Sequence, residues 1–173
     1  MISIGHTLPD IVSEAYLPDG RIEPISLAQD RNKWLVLFFW PLDFTSVCAT
    51  EVRAYSDLSH DFDISGAVLL GASVDSALAH CSWVKHGLGP VAFPMLGDVS
   101  HELARRFGVL ADSGVALCAT FIASPEGRIV SIAANDLNAG RSARESLRLL
   151  HALQSREITA REWQPRGGFV AAA

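Results

Sequence analysis

An α/β fold, a central mixed β-sheet flanked by helices, is predicted by three observations. The first is the unbroken apolar run Trp34–Trp40, which has strand length and suits a strand covered on both faces. The second is the alternation of strand-like and helix-like segments, with no internal repeat, low-complexity stretch or linker. The third is a terminal amphipathic helix, in which Ser142 and Glu145 form a capping-box pattern ahead of Leu147, Leu149, Leu150 and Leu153.

The elements follow in order. Pro18, Asp19 and Gly20 make a turn that predicts an N-terminal β-hairpin. After the strand Trp34–Trp40, Ser46 is the expected N-cap of a helix running to about His60, and Ala67–Ala72 is a second buried strand. Ser76–His86 and Ser100–Phe107 read as helices. Val115–Ala123 and Arg128–Ala133 read as strands joined by a tight turn at Ser124, Pro125, Glu126 and Gly127. Residues 1–155 make one domain, and 156–173 a C-terminal tail rich at its end in Arg, Gly and Ala.

Composition narrows the function. A chain of 173 residues, 49% hydrophobic and 19% charged, buries roughly 70% of the surface its unfolded form exposes, enough to fold without disulfides or metals. The net charge of −5 and pI near 5.6 argue against nucleic acid as a partner. Met1–Ala15 lacks a basic segment followed by an apolar one, and no apolar run approaches the ~18 residues that span a bilayer. The expectation is a soluble, cytoplasmic protein with no membrane partner. The six histidines show no metal-ligand spacing with one another or with a cysteine, so neither a metal nor another cofactor is expected. The three cysteines, Cys48, Cys81 and Cys118, are too few and too irregular for a disulfide framework.

Cys48 carries the chemistry. The strand run stops at Pro41, Thr45 lies three positions before the cysteine, and a helix-competent stretch follows. A cysteine in the first turn of a helix feels the partial positive charge of unpaired N–H groups, which favours the nucleophilic thiolate. Thr45 and first-turn amides are candidate donors to charge developing on a departing oxygen, while Pro41 offers a rigid wall with no N–H. Glu51, one turn after Cys48, needs a cation beside it.

The pattern Pro41, three residues, Thr45, two residues, Cys48 resembles the peroxidatic motif of the peroxiredoxins, in their alkyl hydroperoxide reductase C / thiol-specific antioxidant branch. The likeness extends through Ser73–Ser76 with His80 and Trp83, Gly87–Pro90, Phe107–Leu110, Ala119–Ile122, Asn135–Leu137 and Gly140–Ser142, covering about Pro9 to Trp163. It implies a thioredoxin-like fold with an N-terminal hairpin. It also implies reduction of hydrogen peroxide or alkyl hydroperoxides through a Cys48 sulfenic acid, an external thiol or thioredoxin-like reductant, and homodimers that often form decamers. It suggests Arg141 as the partner of Glu51, with both in supporting roles. His80 and Trp83 are read as packing and interface residues.

Two departures qualify the resemblance. Cys118 stands where similar enzymes place an arginine that touches the peroxidatic sulfur, with Arg128 a candidate substitute. Losing one oxyanion donor typically costs about 10²- to 10³-fold in rate, so a slow peroxidase is expected. Thr159 stands where the resolving cysteine lies, which removes the usual intersubunit disulfide. The sulfenic acid is then left to Cys81, to Cys118 or to direct reduction by an external thiol.

Competing functions separate on the same residues. A thioredoxin-type disulfide reductase needs a second cysteine three positions after the first, where this chain has Glu51. No local signature supports a cysteine hydrolase. A degenerate peroxiredoxin acting as oligomeric scaffold, holdase or redox sensor agrees with both departures. The intact Pro41, Thr45 and Cys48 constellation, for which a scaffold has no physical need, favours the enzyme.

Overall fold

The computed structural model describes residues 2–29, 32–137, 139–160, 163–165 and 168. The apolar run becomes β3 (Trp34–Phe39), and its alternation divides the molecule. Leu35, Leu37 and Phe39 enter one core, with Leu103 and Phe107, while Val36, Phe38 and Trp40 enter the other, with Val52, Tyr55 and Leu150. Around it stand β1 (Val12–Tyr16), β2 (Ile22–Ser26), β4 (Ala67–Ser73), β5 (Met95–Gly97), β6 (Cys118–Ala123) and β7 (Ile129–Asn135), in the order β2-β1-β5-β4-β3-β6-β7. β3 runs parallel to β4 and β4 parallel to β5, and the other pairings are antiparallel, including the predicted hairpin of β1 with β2.

The helices are α1 (Ser46–Asp57), α2 (Ser59–Ile64), α3 (Ala77–Trp83), α4 (Glu102–Phe107) and α5 (Ala143–Ser155). The single helix expected from Ser46 to His60 is broken at Leu58, whose ψ is 3°. The break lays α2 along β4 and brings Phe62 onto the Tyr55 ring at 6.1 Å. The helix expected to reach His86 stops at Trp83 and widens into a π-helical turn, Val84–Leu88, that buries Leu88. α4 starts two residues later than expected, because His101 is left-handed (φ 58°) and the Asp98 carboxylate accepts the Leu103 and Ala104 amides. Val115–Leu117 does not join β6. It pairs instead with the preceding loop, through Ala111 N–H to Val115 O and Leu117 N–H to Val109 O.

α5 begins as expected at Ser142, whose hydroxyl accepts the Glu145 amide at 3.3 Å. Only half of the capping box forms, because the Glu145 carboxylate turns to Arg148. Of the C-terminal tail, Arg161, Glu162 and most of the Arg, Gly and Ala end lie outside the described residues; Trp163 is buried, and its carbonyl accepts Arg148 at 3.0 Å. No helix among the described residues is long and apolar enough to cross a membrane.

Candidate active site

The site forms where β3 ends. Trp40 closes the strand by donating its amide to Ala72 O, and half-buried Pro41 turns the chain away from the sheet. A buried network pins the loop that follows. Asp43 Oδ1 accepts the Trp40 indole N–H at 2.9 Å, Asp43 Oδ2 lies 2.7 Å from His80 Nδ1, and the Asp43 amide donates to Asp75 Oδ2 at 2.9 Å. His80 Nε2 faces the Leu96 carbonyl at 3.1 Å, so both ring nitrogens meet acceptors. Phe44 then takes a left-handed conformation (φ 57°), which sets up the entry into α1.

Thr45, not Ser46, is the N-cap, and it makes no side-chain capping bond. Its hydroxyl donates to Leu42 O at 3.1 Å, which leaves its oxygen free to accept; the donor role expected for it would require the hydroxyl to turn. The first helical bond runs from Ala49 N–H to Thr45 O, leaving the amides of Ser46, Val47 and Cys48 without an intrahelical carbonyl. Cys48 sits within this turn, 5% exposed, and among the described residues no hydrogen bond reaches its sulfur. The unpaired amides and the helix dipole direct positive potential toward the start of α1, where the sulfur sits.

Glu51 and Arg141 form a second, almost dry cluster behind the cysteine, with side chains 4% and 5% exposed. Glu51 Oε1 accepts the Arg141 backbone N–H at 2.5 Å and its Nε at 3.3 Å, and Oε2 accepts Nη2 at 3.1 Å. The guanidinium also donates to the carbonyls of Ala119 and Phe39, to Thr120 Oγ1, and lies 5.8 Å from the Phe38 ring centre. Its donors are consumed by the ends of β3 and β6. Thr120 Oγ1 is tied in turn to the Tyr55 hydroxyl at 3.0 Å, and that hydroxyl to Ser146 Oγ at 2.8 Å.

Cys118, at the start of β6, is 2% exposed, and its thiol donates to Glu51 Oε2 at 3.9 Å. Burial first, and then the Glu51 charge, push the thiol above its ordinary value, with Arg141 opposing. Arg128 does not replace the missing arginine: it is exposed, paired by a β-bridge to Thr7 at the opposite end of the sheet. Cys81 is half-buried on α3, which packs against β1 and β5, and its side chain packs against the same hydrophobic cluster that holds Cys48. A cavity of about 290 Å³ also lies at the far end, lined by Leu27, Leu35, Val68, Ala123 and Pro125, with no cysteine at its wall.

Sequence reasoning did not single out Asp43, Asp75 or Thr120, and it took His80 for a packing and interface residue. A carboxylate inside the apolar motif segment was the available signal, since a buried Asp must be hydrogen-bonded. Thr120 was signalled by its alternation with Cys118 and Ile122 on one face of β6.

A mixed sheet that presents a buried, helix-start cysteine beyond a Pro-terminated strand defines a thiol-dependent peroxidase of thioredoxin-like fold. The AhpC/TSA family model matches residues 4–132. Peroxiredoxin-2 of Mus musculus is 42% identical over 94% of this chain and 86% of its own length, and peroxiredoxin prdx-2 of Caenorhabditis elegans is 40% identical over 94% and 85%. Among solved structures, the reduced 2-Cys peroxiredoxin of Plasmodium vivax superposes with a TM-score of 0.94 at 30% identity, covering 98% of this chain and 93% of that one. Mycobacterium tuberculosis AhpC gives 0.86 at 37%, covering 95% and 99%. The chain belongs to the AhpC/TSA family, the peroxiredoxins.

Proposed function

We propose that Cys48 is the peroxide-reacting residue of a thiol-dependent peroxidase acting on hydrogen peroxide and small alkyl hydroperoxides. The observation that carries the assignment is the buried sulfur in a helix turn whose three leading amides have no intrahelical acceptor. The thiolate sulfur bonds to one peroxide oxygen as the O–O bond breaks. The electron pair leaves on the other oxygen, which takes a proton and departs as water or alcohol, leaving a sulfenic acid. First-turn amides stabilise the charge on the departing oxygen, and the Thr45 oxygen, its proton given to Leu42 O, accepts the peroxide O–H. Pro41 walls the site, and Glu51 with Arg141 fixes α1 against β3 and β6.

Turnover is slow for the family, by about 10²- to 10³-fold, because Cys118 replaces an arginine and Arg141 is committed to Glu51 and backbone carbonyls. An external thiol, of the thioredoxin class in the cytoplasm, supplies the electrons, and the chain assembles as homodimers capable of forming decamers. Cys48→Ser is expected to abolish thiol-dependent peroxide consumption while leaving the circular dichroism spectrum unchanged. Retained turnover in that variant would remove the assignment.

A further inference from the structure

We propose that Cys118 is the resolving thiol of this peroxidase, attacking the Cys48 sulfenic acid within the same chain while Glu51 accepts its proton. The inference rests on Cys48 being the peroxide-reacting sulfur and adds the step that follows.

Strand geometry places the two sulfurs on one side of the sheet. Alternation along β6 sends Cys118, Thr120 and Ile122 toward α1: Thr120 meets the α1 residue Tyr55 at 3.0 Å, and Ile122 packs in the cluster that holds Cys48 and Val52. Glu51 then joins strand to helix. Its Oε2 receives the Cys118 thiol at 3.9 Å, and it stands one helical turn after Cys48. Cys118 also feels the charge on Cys48. The alternatives are less well placed: Thr159 has no sulfur, and Cys81 packs from α3 on the cluster that holds Cys48 but, among the described residues, donates its thiol to no carboxylate.

The step balances without an added oxidant. Cys118 gives its proton to Glu51 Oε2, and its sulfur attacks the Cys48 sulfur as the S–O bond breaks. The leaving hydroxide takes that proton and departs as water, so Cys48–SOH and Cys118–SH become one disulfide and one water. An external dithiol restores both thiols, and the carboxylate returns to its pairing with Arg141. A disulfide needs Cα atoms within about 7 Å. In the first turn of α1 no side chain caps the helix, because the Thr45 hydroxyl is spent on Leu42 O.

The groups facing Cys118 are Glu51 and Cys48 from α1 and Arg141 from the segment before α5. Burial and the Glu51 charge keep it a thiol at neutral pH, so the step depends on Glu51 to take the proton as the S–S bond forms.

The test gives reduced full-length protein one equivalent of hydrogen peroxide with no added thiol, and follows intact mass and non-reduced peptides over time in wild type, Cys81→Ala and Cys118→Ala. In the first two, a transient gain of one oxygen at Cys48 is expected to give way to a loss of two hydrogens and a Cys48–Cys118 cross-linked peptide. Cys118→Ala is expected to stop at a sulfenic acid captured by dimedone. A Cys48–Cys81 link, an intersubunit link, or a wild-type sulfenic acid that persists until dimedone is added would overturn the Cys118 assignment and leave Cys48 as the peroxide-reacting residue. A Cys48 that gains no oxygen would overturn both.

Discussion

Glu51 accepts four hydrogen bonds, three from Arg141 and one from Cys118, in surroundings that exclude water. A buried pair of this kind costs most when half of it is removed, because the remaining charge is left without compensation. Arg141→Ala is therefore expected to lower the urea unfolding free energy by about 3–5 kcal/mol, and Arg141→Lys to recover only part of it because an ammonium cannot span Glu51, Phe39 O and Ala119 O together. Cys118 makes a separate prediction in alkali. Its folded-state pKa lies above the ordinary 9.0, so the folded chain holds this proton at a pH where the unfolded chain has released it. The resulting stability is fully present below the unfolded value and is lost as pH rises toward the folded one, with a slope of up to about 1.4 kcal/mol per pH unit. Denaturation at pH 8 and pH 10.5 is expected to show this loss in wild type and a smaller one in Cys118→Ala; equal slopes would mean that Cys118 titrates alike in both states. Cys48 was legible in the sequence because motif spacing exposed it, and the Glu51–Arg141 pair because the resemblance to the peroxiredoxins implied it. The Asp43–His80 contact was not, since the partners are 37 residues apart and meet only once α3 has packed beside the loop.

Elements with a strong periodicity were equally legible. β3 was readable because seven apolar residues in succession demand cover on both faces, and α5 because its cap and leucine stripe agree. β5, with three residues, is too short to carry a period, and the break at Leu58 is set by how α2 lies on β4. Gly71 in β4 shows what the sheet demands of its neighbours. A Cβ there would lie 2.7 Å from the Trp40 ring and 2.9 Å from the Phe93 ring, in a cluster where Phe38 stacks on Tyr55 at 3.9 Å. These rings have no free volume into which to retreat. Gly71→Ala is expected to cost about 1–3 kcal/mol through overpacking and, by shifting Trp40 and hence its bond to Asp43, to slow Cys48 oxidation as well. Stopped-flow tryptophan fluorescence on peroxide mixing measures the second effect. A destabilised variant that oxidises at the wild-type rate would show that the Asp43 loop is held independently of Trp40.

The molecule as a whole leaves apolar surface on the side that carries the chemistry. Phe44 is 59% exposed, Val47 55% and Leu78 72%, with Phe44 extending from the loop ahead of Cys48 and leaning toward the Trp83 ring at 6.2 Å. At the opposite margin of the same sheet, β7 is an edge strand whose start is covered where Ile129 bonds to Gly5 and His6, and Ala133 and Ala134 farther along it are exposed. Small exposed residues on an edge permit a second copy to approach closely, and an unpaired edge is normally covered or blunted. Two separate surfaces on one protomer are what a homodimer needs in order to assemble further, because each dimer retains the face its partner did not use. The Phe44 face bears on activity too: a neighbour packed there would restrain the left-handed residue that leads into the helix of Cys48. Leu78→Asp puts a charge on this face from α3 without touching the peroxide site. At micromolar concentration it is expected to lower the weight-average mass in sedimentation equilibrium to that of the dimer, and to slow Cys48 oxidation several-fold. A wild-type protein that sediments as a monomer would remove this account of both faces, and a dissociated Leu78→Asp variant with unchanged oxidation kinetics would separate assembly from the chemistry.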